Sequence, residues 1–71
     1  MKWMKDVVYN SVHEIRMKIG ITQEELAEKI GVSRQTIISI EKGNYVPSVM
    51  LALRIAKLFK RSVEELFSLS S

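Results

Sequence analysis

The chain contains no cysteine, only one histidine, and no apolar run long enough to cross a membrane. The lack of cysteine excludes disulfides, thiol nucleophiles and thiolate-bound zinc, and a single histidine excludes metal sites built on paired histidines. The charged start of the sequence has no apolar segment behind it of the kind that a secretory signal requires. We therefore expect a cytoplasmic protein with no cofactor and no metal, which is not an enzyme because it has no nucleophile-and-base set.

Charge of either sign is also modest in this chain. Its 71 residues carry 11 lysine and arginine against 8 aspartate and glutamate, a net charge of +3. The length allows one domain, which buries only about 60% of the surface that its unfolded form exposes. The positive charge is compatible with an anionic partner, although a charge of this size also occurs on proteins that are merely soluble.

Glycine and proline are scarce, and Gly20, Gly31, Gly43 and Pro47 divide the chain into helix-length segments. Within these segments, apolar residues recur at every third or fourth position, the spacing of a buried stripe on a helix. The first stripe steps by four, three and four residues through Val8, Val12, Ile15 and Ile19. Either Asn10 or Ser11 would cap this helix, which leaves residues 7–9 as an extended lead-in.

Each later helix is predicted to begin after a hydroxyl residue. Thr22 and Ser62 each precede a glutamate by three residues, which fits the capping box. Ser33 and Ser48 are the N-caps of the two helices in between. The predicted buried faces are Leu26, Ala27, Ile30, Ile37, Ile40, Leu51, Ala52, Ile55, Ala56, Phe59 and Leu66. The carboxylates of Glu24, Glu25, Glu28 and Glu41 are interpreted as capping and solubility groups and not as an acid–base pair.

The predicted fold is therefore all-α, a five-helix bundle over residues 10–67. Residues 67–69 alternate like a strand and can pair with residues 7–9, so the N- and C-terminal segments are expected to form a short antiparallel β-ribbon. Residues 1–9 are interpreted as an N-terminal extension that contains the first strand. Residues 68–71 are interpreted as a C-terminal tail that continues the second strand.

Residues 23–42 are the most informative about function. The turn around Gly31 is only about three residues long, which sets the second and third helices at about 90–120° to each other. The outward face of the third helix then carries Arg34, Gln35, Thr36 and Ser39, with Ile38 at its flank. Arginine can bond guanine, and glutamine can bond adenine, through two hydrogen bonds in a major groove about 12 Å wide.

Further groups around this helix are suited to phosphates. The start of the second helix, at Thr22 and Gln23, offers N–H groups and partial positive charge to an anion. Lys42 and Asn44 follow the third helix directly and can hold phosphates on its other side. Contacts with phosphates set register and affinity, whereas contacts with bases set sequence preference.

Residues 22–37 read TQEELAEKIGVSRQTI, and residues 40–48 read IEKGNYVPS. Together with Arg16 upstream, these segments resemble the helix-turn-helix of the Cro/lambda-repressor family, and the resemblance extends from about Asn10 to Phe67. Within that family, the chain is most similar to small single-domain regulators whose five helices are extended by a short antiparallel sheet at the dimer interface. The resemblance implies a transcriptional regulator, usually a repressor, that binds a palindromic DNA operator as a homodimer.

The resemblance also implies roles for individual residues. Base reading falls on Arg34, Gln35 and Ser39. Phosphate binding falls on Gln23, Thr36, Lys42 and Asn44. Dimer contacts are expected among the apolar residues near the chain ends, at Val8, Leu66, Phe67 and Leu69. Ile38 departs from the family pattern, which usually has a polar residue there, and either contacts a thymine methyl group or is a plain apolar surface residue.

Another class of function stays open at this point. The same fold can act mainly as a protein-interaction module, such as the antitoxin of a toxin–antitoxin pair with secondary DNA binding. A helical hairpin with this apolar pattern also occurs in small bundles of other functions. The combination of Gln23, Gly31 and the Arg34-Gln35-Thr36 triplet favours the DNA-binding interpretation over an unrelated bundle, whereas co-purification of a toxin would decide the antitoxin alternative.

Overall fold

The computed structural model describes residues 7–69 as five helices and one pair of strands. In chain order the elements are β1 (Val8–Asn10), α1 (Val12–Ile19), α2 (Gln23–Ile30), α3 (Arg34–Lys42), α4 (Val49–Phe59), α5 (Val63–Leu66) and β2 (Phe67–Leu69). The predicted fold class is confirmed. None of the helices in this range has the length and hydropathy that a bilayer crossing demands.

The helix starts follow the predicted caps. The hydroxyl of Thr22 accepts the N–H of Glu25 at 3.0 Å, and the Glu25 carboxylate accepts the N–H of Thr22 at 2.8 Å. Ser62 and the glutamate three residues after it repeat this capping box. The hydroxyls of Ser33 and Ser48 each accept one N–H from the first turn of α3 and α4. Each helix from α2 to α5 therefore starts where a side-chain bond from its N-cap residue replaces a missing backbone bond.

The start of α1 is held by Asn10 and not by the side chain of Ser11. The Oδ1 atom of Asn10 accepts the N–H of Val12 at 3.1 Å, whereas Ser11 occupies the N-cap position without a side-chain cap bond. The Nδ2 atom of Asn10 also donates to the carbonyl of Ile40 in α3 at 2.9 Å. One amide side chain thus connects β1, α1 and α3.

The prediction for the first apolar stripe was wrong at Ile19, which is the last residue of α1 and is exposed. Val8 lies in β1, within the segment before α1 that was predicted to be extended. Gly20 adopts a left-handed conformation directly after Ile19 and ends α1 there. Val12 and Ile15 are buried as predicted.

The core consists of aliphatic side chains from every helix and of Phe59. Every residue predicted for the buried faces of α2 to α5 is in fact buried. Leu26 of α2 and Ile37 and Ile40 of α3 are completely inaccessible where these two helices pack together. Since each such side chain contributes about 1.5–3 kcal/mol on burial, this contact holds α3 firmly in one orientation.

The predicted β-ribbon is confirmed, with its first strand one residue later than predicted. Strands β1 and β2 are antiparallel, and the paired residues are Val8 with Leu69, Tyr9 with Ser68 and Asn10 with Phe67. Beyond the strands, the N–H of Ser11 donates to the carbonyl of Leu66 at 2.9 Å. The ribbon therefore brings the two ends of the described chain together.

The turn between α2 and α3 depends on Gly31. Its φ of +79° lies in the left-handed region, which costs a residue with a β-carbon roughly 1–2 kcal/mol. The N–H groups of Gly31 and Val32 both donate to the carbonyl of Ala27, at 2.9 and 3.0 Å. This conformation ends α2 and directs the chain into α3 after three residues, as the sequence predicts.

Candidate nucleic-acid interface

The third helix presents one face away from the core. Ile37 and Ile40 are fully buried and define its inner side. Successive residues of an α-helix are about 100° apart, so Gln35 and Lys42 lie opposite these isoleucines. We call the exposed side the outer face of α3, and it consists of Arg34, Gln35, Ile38, Ser39 and Lys42.

The three predicted base-reading residues are all on the outer face of α3. Arg34 and Gln35 are exposed, and Ser39 is half-buried. Within residues 7–69, their side-chain polar atoms have no hydrogen-bond partner, so their donors and acceptors are available to a ligand. The structure therefore meets the geometric condition for base reading, which is that these side chains are not packed inside the molecule.

Two open clefts border α3, one on each side. The first, of about 570 Å³, lies between α1, α2 and α3 and is lined by Arg16, Met17, Gly20, Ile21, Thr22, Gln23, Glu24 and Arg34. The second, of about 360 Å³, lies against the segment after α3 and is lined by Val32, Ser33, Gln35, Thr36, Ser39, Asn44, Tyr45 and Leu51. Helix α3 is therefore a ridge with free space on both sides, a shape that suits insertion into a groove wide enough for one helix.

The predicted phosphate-binding residues flank this ridge. Gln23 lines the first cleft, and its Nε2 donates to Oε1 of Glu41 at 3.1 Å, which uses one of its two amide hydrogens. Lys42 and Asn44 are exposed at the C-terminal end of α3, and their side chains have no hydrogen-bond partner among the described residues. Donors are thus present beside the first cleft and at the C-terminal end of α3.

The hydroxyl of Thr36 is joined to Ser33. The Ser33 hydroxyl accepts the N–H of Thr36 at 3.2 Å, and the two hydroxyl oxygens are 3.0 Å apart. A hydroxyl donates one proton, and Ser33 can donate its proton to Thr36 while accepting the N–H. This arrangement leaves the O–H of Thr36 available to an outside acceptor.

The start of α2 offers fewer N–H groups than the sequence suggests. The capping box occupies the N–H groups of Thr22 and Glu25. The N–H groups of Gln23 and Glu24 have no partner in the described part of the chain. The carboxylates of Glu24 and Glu25 also offset the positive end of the helix dipole. The Gln23 side chain, the hydroxyl of Thr22 and two N–H groups are the donors that remain there.

Behind the first cleft, the carboxylate of Glu41 joins three helices. Arg16 in α1 donates from Nε to Oε2 at 2.7 Å and from Nη2 to Oε1 at 3.2 Å. The two side chains are only 7% and 6% exposed. Oε1 also lies 3.1 Å from Nδ1 of His13 and 3.1 Å from Nε2 of Gln23. The expectation that Glu41 serves solubility was therefore wrong.

The electrostatics of Glu41 follow from these contacts. Burial alone raises the pKa of the carboxyl, but the hydrogen bonds from Arg16, Gln23 and His13, together with the charge of Arg16, bring the pKa below its ordinary value. Glu41 is therefore ionised near neutral pH. Nη1 of Arg16 donates in addition to the carbonyl of Ile21 at 2.9 Å. The ion pair thus fixes the start of α2 against the end of α3.

The residues predicted to form a dimer interface fall into two groups. Leu66 is only 1% exposed and belongs to the core of the single chain, so its side chain is not available to a partner. Val8 and Phe67 are half-buried and line an apolar cleft of about 190 Å³ beside the ribbon. Leu69, which pairs with Val8, is exposed.

Sequence reasoning missed the apolar residues on the outer side of α4. Val49 is 77% exposed, and Val46, Met50 and Leu53 are exposed beside it. Val46 and Val49 line the same cleft as Val8 and Phe67, so this stripe is continuous with the ribbon. Val49 and Leu53 are four residues apart in α4, the spacing of a helical stripe, and reading α4 for a second apolar face would have found them.

Comparison with known proteins agrees with this geometry. The helix-turn-helix family profile HTH_3 matches residues 12–66. An uncharacterised HTH-type transcriptional regulator of Bacillus subtilis, YgzD, is 52% identical over 58 residues, which make up 82% of this chain and 88% of that protein. The cryptic phage CTXphi transcriptional repressor RstR of Vibrio cholerae is 30% identical over 59 residues, 83% of this chain and 53% of that protein. The crystal structure of the restriction-modification controller protein C.AhdI from Aeromonas hydrophila superposes with a TM-score of 0.70 at 28% identity, covering 76% of this chain and 82% of that chain. The protein therefore belongs to the Cro/lambda-repressor-like helix-turn-helix family of DNA-binding transcriptional regulators.

Proposed function

We propose that this protein is a cytoplasmic transcriptional repressor that binds a palindromic operator as a homodimer, with α3 of each subunit in a major groove. The observation that carries the proposal is the outer face of α3, a ridge of unpaired polar side chains between two clefts. The relative RstR, which is named a transcriptional repressor, supports the direction of regulation. A bound dimer would repress by excluding polymerase from the DNA that it covers.

Base reading is assigned to three side chains of the outer face. Arg34 stands at the first position of α3 and can donate two hydrogen bonds to O6 and N7 of guanine. Gln35 can bond N6 and N7 of adenine in the same way, and Ser39 can serve either base. Each bidentate pair discriminates against a wrong base by about 1–3 kcal/mol.

Phosphate contacts are assigned to the residues on both sides of the ridge. Gln23 keeps one amide hydrogen beyond its bond to Glu41, and Thr36 keeps its hydroxyl proton when Ser33 is the donor between their two hydroxyls. Lys42 and Asn44 supply a charge and an amide at the far end of α3. Because Gln23 borders the first cleft and Thr36 and Asn44 border the second, these three donors could bind the backbones on opposite sides of one groove, with Lys42 adding its charge at the C-terminal end of α3.

The dimer surface is assigned to the ribbon and the outer side of α4. It comprises Val8, Phe67 and Leu69 together with Val46, Val49, Met50 and Leu53. A continuous apolar surface of this kind is unfavourable in water and marks an interaction site. With two-fold symmetry, the two α3 helices would meet half-sites whose centres are about 34–36 Å apart on one face of the duplex.

The decisive test is selection of bound duplexes from a random pool by the purified protein. We expect a palindrome with half-sites separated by about 10 base pairs. On that duplex, Arg34→Ala should cost about 1–3 kcal/mol and relax the preference at one base pair per half-site. A pool without any enriched sequence would refute the proposal, and an equal loss on all sequences would refute base reading by Arg34.

The dimer surface has a separate test in sedimentation velocity. Val49→Glu places a charge in the apolar cleft and should convert dimers into monomers that keep their helical circular dichroism. Ile19→Glu is the matched control, since Ile19 is an exposed apolar residue of α1 outside this surface. Dimers that persist in Val49→Glu, or dissociate equally in Ile19→Glu, would place the interface elsewhere.

A further inference from the structure

One residue of the outer face of α3 has no role in the proposed contacts with DNA. Ile38 is apolar, whereas the other members of that face are Arg34, Gln35, Ser39 and Lys42. At about 100° per residue, Ile38 lies about 50° from the midline through Gln35 and Lys42, and Ser39 lies equally far on the other side. Ile38 is thus as close to the centre of the ridge as the predicted base-reading serine.

The core does not account for Ile38. The half-buried apolar side chains that pack against the core cluster in the described chain are Ile21, Val32, Leu58, Val63 and Phe67, and Ile38 is not one of them. It is half-buried, one turn beyond Arg34 and three residues before Glu41. Because Arg34 lines the first cleft and Glu41 is bonded to Gln23, Ile38 lies on the side of α3 that faces this cleft.

The geometry points to Ile38 as a specificity-determining residue that contacts the C5-methyl group of a thymine. In the major groove the edges of the four bases present polar groups, and thymine alone adds a methyl group. An isoleucine on the ridge offers no hydrogen-bond partner to any base, but at thymine its contact with the methyl group would remove two apolar groups from water. This inference rests on the proposed insertion of α3 into the major groove.

The position of the thymine follows from the helix. Ile38 is four residues after Arg34, about 6 Å along the axis of α3 at about 1.5 Å per residue. Base pairs are spaced about 3.4 Å apart. The thymine should therefore lie within about two base pairs of the base that Arg34 contacts.

The test removes single methyl groups from the DNA. In the duplex selected by the wild-type protein, each thymine is replaced in turn by deoxyuracil, which keeps every hydrogen-bonding group and lacks only the methyl. We expect one thymine per half-site whose replacement weakens binding about fourfold, the equivalent of about 0.8 kcal/mol for one buried methyl group. Replacement at the other positions should leave the dissociation constant within twofold.

Protein variants then connect that thymine to Ile38. In Ile38→Ser the deoxyuracil effect at this position should disappear, whereas Ile38→Val, which keeps a branched apolar side chain, should retain most of it. Ser39→Ala is the matched control on the opposite flank and should keep the full effect. Circular dichroism confirms that each variant is folded before its affinity is compared.

The outcomes separate this inference from the proposed function. A palindrome with no thymine that is sensitive to deoxyuracil, or a sensitivity that survives in Ile38→Ser, overturns the role of Ile38 and leaves the operator-binding function standing. A pool without an enriched sequence overturns both.

Discussion

Replacing Glu41 by leucine should destabilise the protein more than any single change on the outer face of α3. The substitution leaves the Arg16 guanidinium, which is only 7% exposed, without the carboxylate that takes two of its hydrogen bonds. Removal of one partner from a buried ion pair costs about 3–5 kcal/mol. A chain of this length has a total stability of roughly 4–10 kcal/mol, so the loss is a large share of it.

Removing the arginine of this ion pair should cost less stability than removing the glutamate. In Arg16→Met the Glu41 carboxylate keeps its contacts with Gln23 and His13. The carboxylate can also become neutral by taking up a proton when its pKa rises, whereas a buried arginine stays charged. In the double variant that combines Arg16→Met with Glu41→Leu, both charges are gone and an apolar pair fills the space. Much of the stability that Glu41→Leu loses should therefore be recovered.

Thermal unfolding followed by circular dichroism measures all three variants. For a domain of 60–100 residues, 1 kcal/mol corresponds to about 4–8 °C in Tm, so a loss of 3 kcal/mol in Glu41→Leu predicts a fall of about 12–24 °C. Glu28→Leu, at an exposed position of α2, is the control and should leave Tm nearly unchanged. Two outcomes would show that Arg16 and Glu41 are not a coupled buried pair. One is that each single variant lowers the free energy of unfolding by less than about 1 kcal/mol, and the other is that the two losses add in the double variant.

Three further predictions concern binding and stability. Lys42→Ala should weaken binding to every duplex and lower the slope of log affinity against log salt by about one; an unchanged slope would contradict the phosphate contact. The folded state lowers the pKa of Glu25, Glu41 and Glu65, so it binds fewer protons than the unfolded state, and stability in urea should fall as the pH drops below about 4.3. The fall should be shallower in Glu41→Gln, and an identical pH profile would argue against a lowered pKa there. Gly31→Ala should cost about 1–2 kcal/mol through its left-handed φ alone, since an added β-carbon would meet only Arg54 Nη1 at 3.9 Å; an unchanged midpoint in urea would show that the turn relaxes.

Much of the fold follows from short-range chemistry and was predicted from the sequence. Thr22, Ser33, Ser48 and Ser62 each cap a helix through a bond to a residue three positions later, so a few consecutive residues decide the outcome. The buried faces of α2 to α5 follow from helical spacing in the same way. The exposure of Arg34, which the base-reading hypothesis requires, also follows from the spacing of Ile37 and Ile40.

What the sequence did not predict depends on contacts between distant segments. The pair formed by Arg16 and Glu41 joins residues 25 positions apart, and neither residue alone differs from a surface charge. Leu66 and Leu69 have the same side chain, yet only the packing of α5 on the bundle and the register of the ribbon bury one and expose the other. The start of β1 was misplaced by one residue because three-residue strands carry too little alternation to fix a boundary.

The ribbon has a consequence for how the molecule assembles. The contacts between α2 and α3 join neighbours in the chain, whereas the ribbon joins its two ends. Local contacts form fast, and pairing of remote segments is slow because a long loop must close first. The strands should therefore be the last part to form and the first to lose protection from hydrogen exchange. If subunits meet at the ribbon, dilution should loosen its two strands while the helices that carry the DNA-facing residues stay intact.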